Sequence, residues 1–161
     1  MANLKVSGEI IKEVSEKIPT YVVALNELIK NSFDANANNV TLNFDSEKGI
    51  LVVEDDGDGM DSSNIDTLLH ISKSNKKYAH LNENGRYIQG SKGLGFLSVF
   101  KFGNIVTWKT KKDKGYQFTI NYDKIKNMDD ITSINIEIEK NDNIKKGTTI
   151  VDIDNQIELQ E

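Results

Sequence analysis

Apolar residues recur along this chain at two different spacings, helical in the first half and alternating in the second, and the change of period predicts where helices give way to strands. Pro19 stands where a helix would begin, and Val22, Leu25, Ile29, Ser32 and Phe33 follow on one side at helical period, predicting a helix from Thr20 to Ala35. Glu27, Asn31 and Asp34 fall together on the opposite side of that helix. After a polar break at Asn36 to Asn39, Val40, Leu42 and Phe44 alternate with Thr41 and Asn43 as a half-buried strand should, and Asp45 to Gly49 turns the chain. Ile50 to Val53 reads as a second strand that runs into Glu54, Asp55 and Asp56, with Gly57 and Gly59 directly behind. Asp61, Ser62 and Ser63 can cap a second helix, whose spacing through Ile65, Leu68, Leu69 and Ser72 fades near Ser74.

From Lys73 to Gln89 the chain is polar and aperiodic, which is long for a connection inside a compact domain and reads as a lid. Gly90, Gly93 and Gly95 then open an apolar segment, Phe96 to Phe102, that reads as a buried helix. Four alternating blocks follow as strands: Ile105 to Thr110, Tyr116 to Tyr122, Ile134 to Ile138 and Thr149 to Ile153. Helices early and strands late predict an α+β domain, a mixed sheet with helices on one face.

Composition narrows the chemistry. At 161 residues, with 37% hydrophobic and 28% charged side chains, the chain suits one folded domain and is too apolar for disorder. The absence of cysteine excludes disulfides and thiolate sites, and two separated histidines leave any metal to oxygen ligands. A net charge of -5 argues against a general affinity for polyanions. Met1 to Ile11 is interrupted by Lys5, Ser7 and Glu9, so no signal-peptide core and no membrane-spanning run is expected, and a cytoplasmic location is the default.

Four clusters can carry chemistry, each with an ordinary alternative. Glu27 and Asn31, one turn apart, could polarise a water and hold a hard cation through oxygen, or simply form a solvated face. In Asp55-Asp56-Gly57-Asp58-Gly59-Met60 the glycines allow a sharp turn and close approach to a flat ligand, and a carboxylate at the strand end could accept from an exocyclic amine. It could equally be a plain turn; the ligand spacing of a calcium loop is not met. Gly90-Ser91-Lys92-Gly93-Leu94-Gly95 before a helix suits backbone amides pointing at phosphate, yet it is neither a P-loop, since Ser91 precedes Lys92, nor a Rossmann fingerprint. Gly147-Thr148-Thr149 opens the last strand with hydroxyls that could meet a buried polar edge or merely suit a β-rich turn.

Taken in order, Glu27-x-x-x-Asn31, Asp55-x-Gly57-x-Gly59-Met60, Gly90-x-x-Gly93-x-Gly95 and Gly147-Thr148 resemble the four ATP-site motifs of the GHKL superfamily, which includes gyrase B, the large heat-shock chaperone, sensor histidine kinases and MutL. The resemblance spans about Tyr21 to Ile153. Gly93-Leu94-Gly95-Phe96-Leu97-Ser98 and Lys73-Ser74 are most similar to the chaperone branch, and Glu27 with Asp34-Ala35 to the chaperone, gyrase and MutL branches. It implies a Bergerat-type two-layer sandwich, one domain over residues 1–161, that binds Mg²⁺-ATP under a mobile lid. Glu27 would be the general base, Asn31 the Mg²⁺ ligand, and Asp34 and Ala35 part of the same helix motif. Asp55 would accept from the adenine amine with Thr148 beside it, Gly57 and Gly59 would admit the base, and Met60 would pack on it. Gly90, Gly93, Leu94, Gly95 and Phe96 would receive the phosphates, and Lys73, Ser74, Lys76 and Lys92 would serve the lid.

Relatives of this kind take a catalytic lysine or arginine from a following domain. The resemblance therefore implies that this domain is a fragment that binds ATP better than it hydrolyses it, coupled to downstream domains or partner proteins and to nucleotide-dependent homodimerisation. Other functions remain open: a module that binds ATP or ADP without turnover, the catalytic half of a histidine kinase, although neither His70 nor His80 lies in a convincing acceptor helix, and a nucleic-acid surface at Lys109, Lys111, Lys112 and Lys114.

Overall fold

A computed structural model of the chain describes residues 7–9, 20–70, 85, 95–132 and 134–154, the side chains of residues 95 and 96 excepted. Helix α1, Tyr21–Asp34, starts where Thr20 accepts a hydrogen bond from the Val23 amide at 3.2 Å, and ends at Ala35. Strands β1, Val40–Asp45, and β2, Ile50–Asp55, form a hairpin, and α2, Ser62–Leu69, follows. Its first turn is closed by a reciprocal cap, Asn64 N–H to Asp61 Oδ1 at 2.8 Å and Asp61 N–H to Asn64 Oδ1 at 3.0 Å. A 3-10 helix, Gly95–Lys101, leads to β3, Ile105–Lys111, and β4, Gly115–Asn121. A one-turn helix, α3, Tyr122–Ile125, precedes the two-residue strand β5, Glu139–Lys140, and the last strand, β6, Gly147–Ile153.

The strands lie in the order β1-β2-β6-β3-β4-β5. Each pairing is antiparallel, so the sheet is not the mixed one expected from the sequence. The reason is the place of β6. The chain passes from β2 to β3 through α2 and the 3-10 helix, a crossover that suits two parallel neighbours, but β6 runs back between them and pairs antiparallel with both. The α+β class and the two-layer arrangement hold. One sheet face packs Leu51, Val53, Val106, Trp108, Phe118 and Ile120 against Leu28 of α1, Ile65 of α2 and Leu97 and Val99 of the 3-10 helix. The other face presents Thr41, Asn43, Glu54, Lys109 and Thr119 to solvent.

Two element expectations fail. Ile134 to Ile138 is not a strand: Ile134 and Ile136 pack on the core from an irregular segment, and the ladder to β4 forms only at Glu139 and Lys140. On α1 the buried line is Ala24, Leu28 and Ser32, whereas Val22 and Phe33, placed on the core side by the sequence pattern, are 67% and 39% exposed. No described helix is long and apolar enough to cross a membrane.

Cross-strand register sorts the covered face into rows. Val53, Ile150, Trp108 and Phe118 make an apolar row, with the Trp108 and Phe118 rings stacked at 5.1 Å. The next row holds Leu51, Asp152, Val106 and Ile120, so a carboxyl group sits among hydrocarbon. Asp152 is 2% exposed, and neither of its oxygens has a hydrogen-bond partner among the described residues. Burial, with the charge of Asp154 on the same face adding to it, pushes its pKa up to about 8.

The folded chain therefore holds this proton where the unfolded chain, with an ordinary value of 3.8, has released it. The contribution of this group to stability is full below the unfolded value, falls as pH rises from there, and levels off above about 8. The slope due to this group is about 1.4 kcal/mol per pH unit inside that window. Asp152→Asn keeps the shape and removes the proton. Urea midpoints measured from pH 5 to 9 should show the variant more stable than wild type at neutral pH, with the gap widening toward pH 8; parallel curves would contradict the assignment.

Candidate functional site

The third row of the covered face is polar and lies at one end of the sheet: Asp55 of β2, Thr148 of β6 and Thr110 of β3 stand side by side on adjacent strands. Alternation along each strand brings them to the helix-covered side, because Val53, Ile150 and Trp108, two residues away on each strand, are core residues.

Asp55 ties three segments together. Its Oδ2 accepts from Ser32 Oγ of α1 at 2.8 Å, and its Oδ1 accepts from the Gly57 amide at 2.9 Å and the Thr148 amide at 3.2 Å. A carboxylate has about four acceptor positions, so among the described residues one on Oδ2 is left after these bonds. Asp55 is half-buried.

The following loop is held so that this geometry persists. Asp58 N–H donates to the Ala35 carbonyl at 2.7 Å, and Asn36 Nδ2 donates to Asp58 Oδ2 at 2.6 Å. Exposed Asp56 accepts from the Asn38 and Asn39 amides at 2.7 and 2.9 Å and from Asn39 Nδ2 at 2.9 Å. The Asn39 backbone bond, followed by its side-chain bond, lowers the Asp56 pKa below its ordinary value. Of the acidic cluster, then, Asp56 and Asp58 fasten the loop and Asp55 faces inward. Gly59 has φ +72° and lies so close to the Lys111 carbonyl that a Cβ there would come within 2.0 Å of it. Gly147, φ +111°, lies equally close to the Asp55 carbonyl, where a Cβ would stand 2.1 Å away, and this lets β6 begin beside the end of β2.

Thr110 completes the row. Fully buried, its Oγ1 accepts from the Met60 amide at 2.9 Å and lies 2.9 Å from Thr148 Oγ1 and 3.3 Å from the Gly147 carbonyl. Met60, half-buried, packs at the core edge.

On α1, Glu27, Asn31 and Asp34 are half-buried and flank the buried line rather than oppose it. Glu27 Oε1 pairs with Lys30 Nζ at 3.1 Å. Ala35 is the helix C-cap, and its carbonyl holds the Asp58 loop. Gly95 begins the 3-10 helix, and Phe96 lies in its first turn with its side chain outside the description. Leu97, Ser98 and Val99 are buried where that helix meets α1. Lys73, Ser74, Lys76, Gly90, Lys92, Gly93 and Leu94 lie outside the described residues.

The structure thus gathers Asp55, Gly57, Gly59, Met60 and Thr148 at one sheet end, with Glu27, Asn31 and Asp34 on the helix above. Sequence reasoning missed Ser32 and Thr110. Of the hairpin lysines, Lys111 Nζ donates to the Asp142 carbonyl at 2.7 Å and Lys112 reaches Asp61 at 3.8 Å, so two of the four are engaged within the fold.

An open antiparallel sheet with helices on one face, and a carboxylate held between the first helix and two central strands, is the architecture of a Bergerat-type domain. The comparisons agree. The chain belongs to the family described as histidine kinase-, DNA gyrase B-, and HSP90-like ATPase, whose model matches residues 20–150. It is also similar to "Putative type II restriction enzyme HgiDII" of Herpetosiphon aurantiacus, with 31% identity over 88 residues, which cover 54% of this chain and 14% of that protein. The chain thus corresponds to a small part of that relative's length.

Proposed function

We propose that this domain binds Mg²⁺-ATP at the Asp55 end of the sheet and hydrolyses it slowly, serving as a nucleotide-gated switch for a larger assembly. The observation that carries the reading is the Asp55 carboxylate. It is oriented by donors from three segments and keeps one acceptor position for the exocyclic amine of adenine. A guanine would present a carbonyl oxygen to the same carboxylate, a repulsive pairing.

The donor set also fits the metal. Among the described residues no group of three or more His, Asp or Glu side chains could form a cage. Asn31 can offer a single amide oxygen from α1, as suits Mg²⁺, which keeps most of its waters and leans on phosphate oxygens. When bound, the ion would offset phosphate charge; the chain's own residues do the rest. Glu27, one turn before Asn31, would orient the attacking water and take its proton. Its partner, Lys30, is one turn away on the same helix and partly solvated, so the carboxylate can leave it for a water. Gly95 and Phe96, with the preceding glycines, would direct backbone amides at the phosphates, and Lys73, Ser74, Lys76 and Lys92 would close over them.

Coupled domains, nucleotide-dependent homodimerisation and a cytoplasmic setting belong to the same proposal. The likeness to a restriction enzyme supports a module that gates work on nucleic acid elsewhere in a larger protein, rather than one that binds it through its own lysines. Calorimetric titration with a non-hydrolysable ATP analogue tests the reading. One site per chain is expected, tighter with Mg²⁺ than with chelator. Absence of binding in both conditions would overturn it, and tight binding with no phosphate release from a longer chain that includes the following domain would leave a binding-only module.

A further inference from the structure

Strand β1 forms one edge of the sheet, and among the described residues it pairs with β2 alone. We propose that this edge is a self-association surface: β1 pairs antiparallel with β1 of a second copy about a two-fold axis at Leu42, joining two six-stranded sheets into one. The pairing needs no nucleotide and does not depend on the reading of the Asp55 end.

Sheet edges in soluble proteins are blunted by lysine, proline, bulges or a covering element. β1 has none of these. It contains no lysine or proline, its ladder with β2 runs unbroken from Val40 to Asp45, and Thr41 to Asp45 are exposed. Leu42 and Phe44 are the register partners of the core residues Val53 and Leu51, so they lie on the helix-covered face. They are nevertheless 42% and 65% exposed, because the helix layer stops at α1. The α1 flank that carries Glu27 and Asn31 is turned to the 3-10 helix, on the β3 side. Its opposite flank, with Val22 and Ile29 exposed, overlooks β1, and the four side chains line one apolar step along the edge.

Backbone parity selects the occupant and the register. The Asp56 amide donates to the Asn39 carbonyl at 3.3 Å, so the alternate residues Thr41, Asn43 and Asp45 turn their peptide groups toward β2. Val40, Leu42 and Phe44 turn theirs to the open edge. In an antiparallel self-pairing centred on Leu42, Leu42 meets Leu42 and Val40 meets Phe44, which satisfies every outward amide and carbonyl of the three residues in both copies. A centre at Asn43 would instead set Val40 against Ser46, which lies in the turn. The Leu42 centre also keeps the faces consistent, with apolar opposite apolar on the covered face and Thr41 opposite Asn43 on the other. Asp45, the one charge of the strand, falls opposite Asn39 of the second copy rather than another carboxylate. An unrelated strand would have to match both faces, whereas β1 matches itself by symmetry.

Two copies bring together on the order of 1,000 Å² of strand edge and apolar side chain, near the lower limit of about 1,200 Å² for stable specific interfaces, so a micromolar dimer is expected. Sedimentation velocity over a concentration series tests it. Wild type should show a monomer–dimer equilibrium that is the same with and without an ATP analogue. Leu42→Lys and Leu42→Glu alter an exposed side chain, and each sets like charges face to face at the two-fold, which should weaken the dimer ~100-fold. Mixed in equal amounts, the two variants should regain a dimer within about tenfold of the wild-type affinity, because a cation then faces a carboxylate. The chain has no cysteine, so Thr41→Cys mixed with Asn43→Cys reads the register independently of those variants: the pair facing across the two-fold should oxidise to a covalent dimer. A wild type that stays monomeric at millimolar concentration leaves the edge to some other strand and overturns the inference. A dimer that forms only with nucleotide, one that Leu42→Lys retains in full, or a cysteine mixture that fails to cross-link overturns it as well.

Discussion

Asp55→Ala should lower ATP affinity on the order of 100-fold, the largest binding effect of any single substitution in the domain. A hydrogen bond to a charged acceptor contributes about 1.5–3 kcal/mol, and every 1.4 kcal/mol is tenfold in affinity. Truncation does more than remove that bond. Ser32 Oγ and the amides of Gly57 and Thr148 all donate to this carboxylate, and losing it would free the seam between α1, β2 and β6. Asp55→Asn separates the two effects. The amide oxygen can keep the paired bonds at the Oδ1 position, while its nitrogen places a donor where the adenine amine also donates. Titration calorimetry should therefore show both variants binding ATP on the order of 100-fold more weakly, with the Asn variant unfolding close to wild type in a thermal scan. An Asn variant that is well folded and binds ATP normally would remove Asp55 from base recognition.

The second large effect is on turnover. Glu27→Ala should reduce phosphate release roughly 100-fold or more, the usual contribution of a positioned general base, while ATP affinity changes little. The structure allows this split because, among the described residues, Glu27 pairs with Lys30, a half-buried neighbour on the same helix, and Glu27 is not one of the core residues. Glu27→Gln, which retains shape and loses basicity, should behave alike. Steady-state phosphate release measured beside calorimetric affinity checks the pair. Retained turnover in either variant would assign the base elsewhere, and lost affinity would make Glu27 a binding group instead.

Local features of the chain were legible wherever one residue type had one job. The helix after Pro19, the hairpin of β1 and β2, and Asp61 ahead of α2 all follow from short-range chemistry, although Thr20 turns out to cap the helix rather than begin it. The seam was not legible, because it depends on which strands become neighbours. Ser32 falls among apolar residues in a helical projection and looks like a tolerated core serine until β2 brings Asp55 to it. Thr110 follows Trp108 and Lys109 with nothing local to say that its hydroxyl meets a second threonine, since Thr148 arrives from 38 residues away in the chain. Antiparallel pairing throughout the sheet has the same origin, the insertion of β6 between β2 and β3. Ile134 to Ile138 misleads for the opposite reason: alternation shows which side chains seek the core and says nothing of whether the backbone finds a partner.

Backbone amide shifts followed during titration with a non-hydrolysable ATP analogue and Mg²⁺ would test most directly whether these separate segments enclose one nucleotide. The account predicts saturable changes at Asp55 to Met60, at Thr148 and along α1 from Glu27 to Asn31, with one dissociation constant for all. Changes confined to the β4 and β5 edge, or the absence of any saturable change, would contradict it.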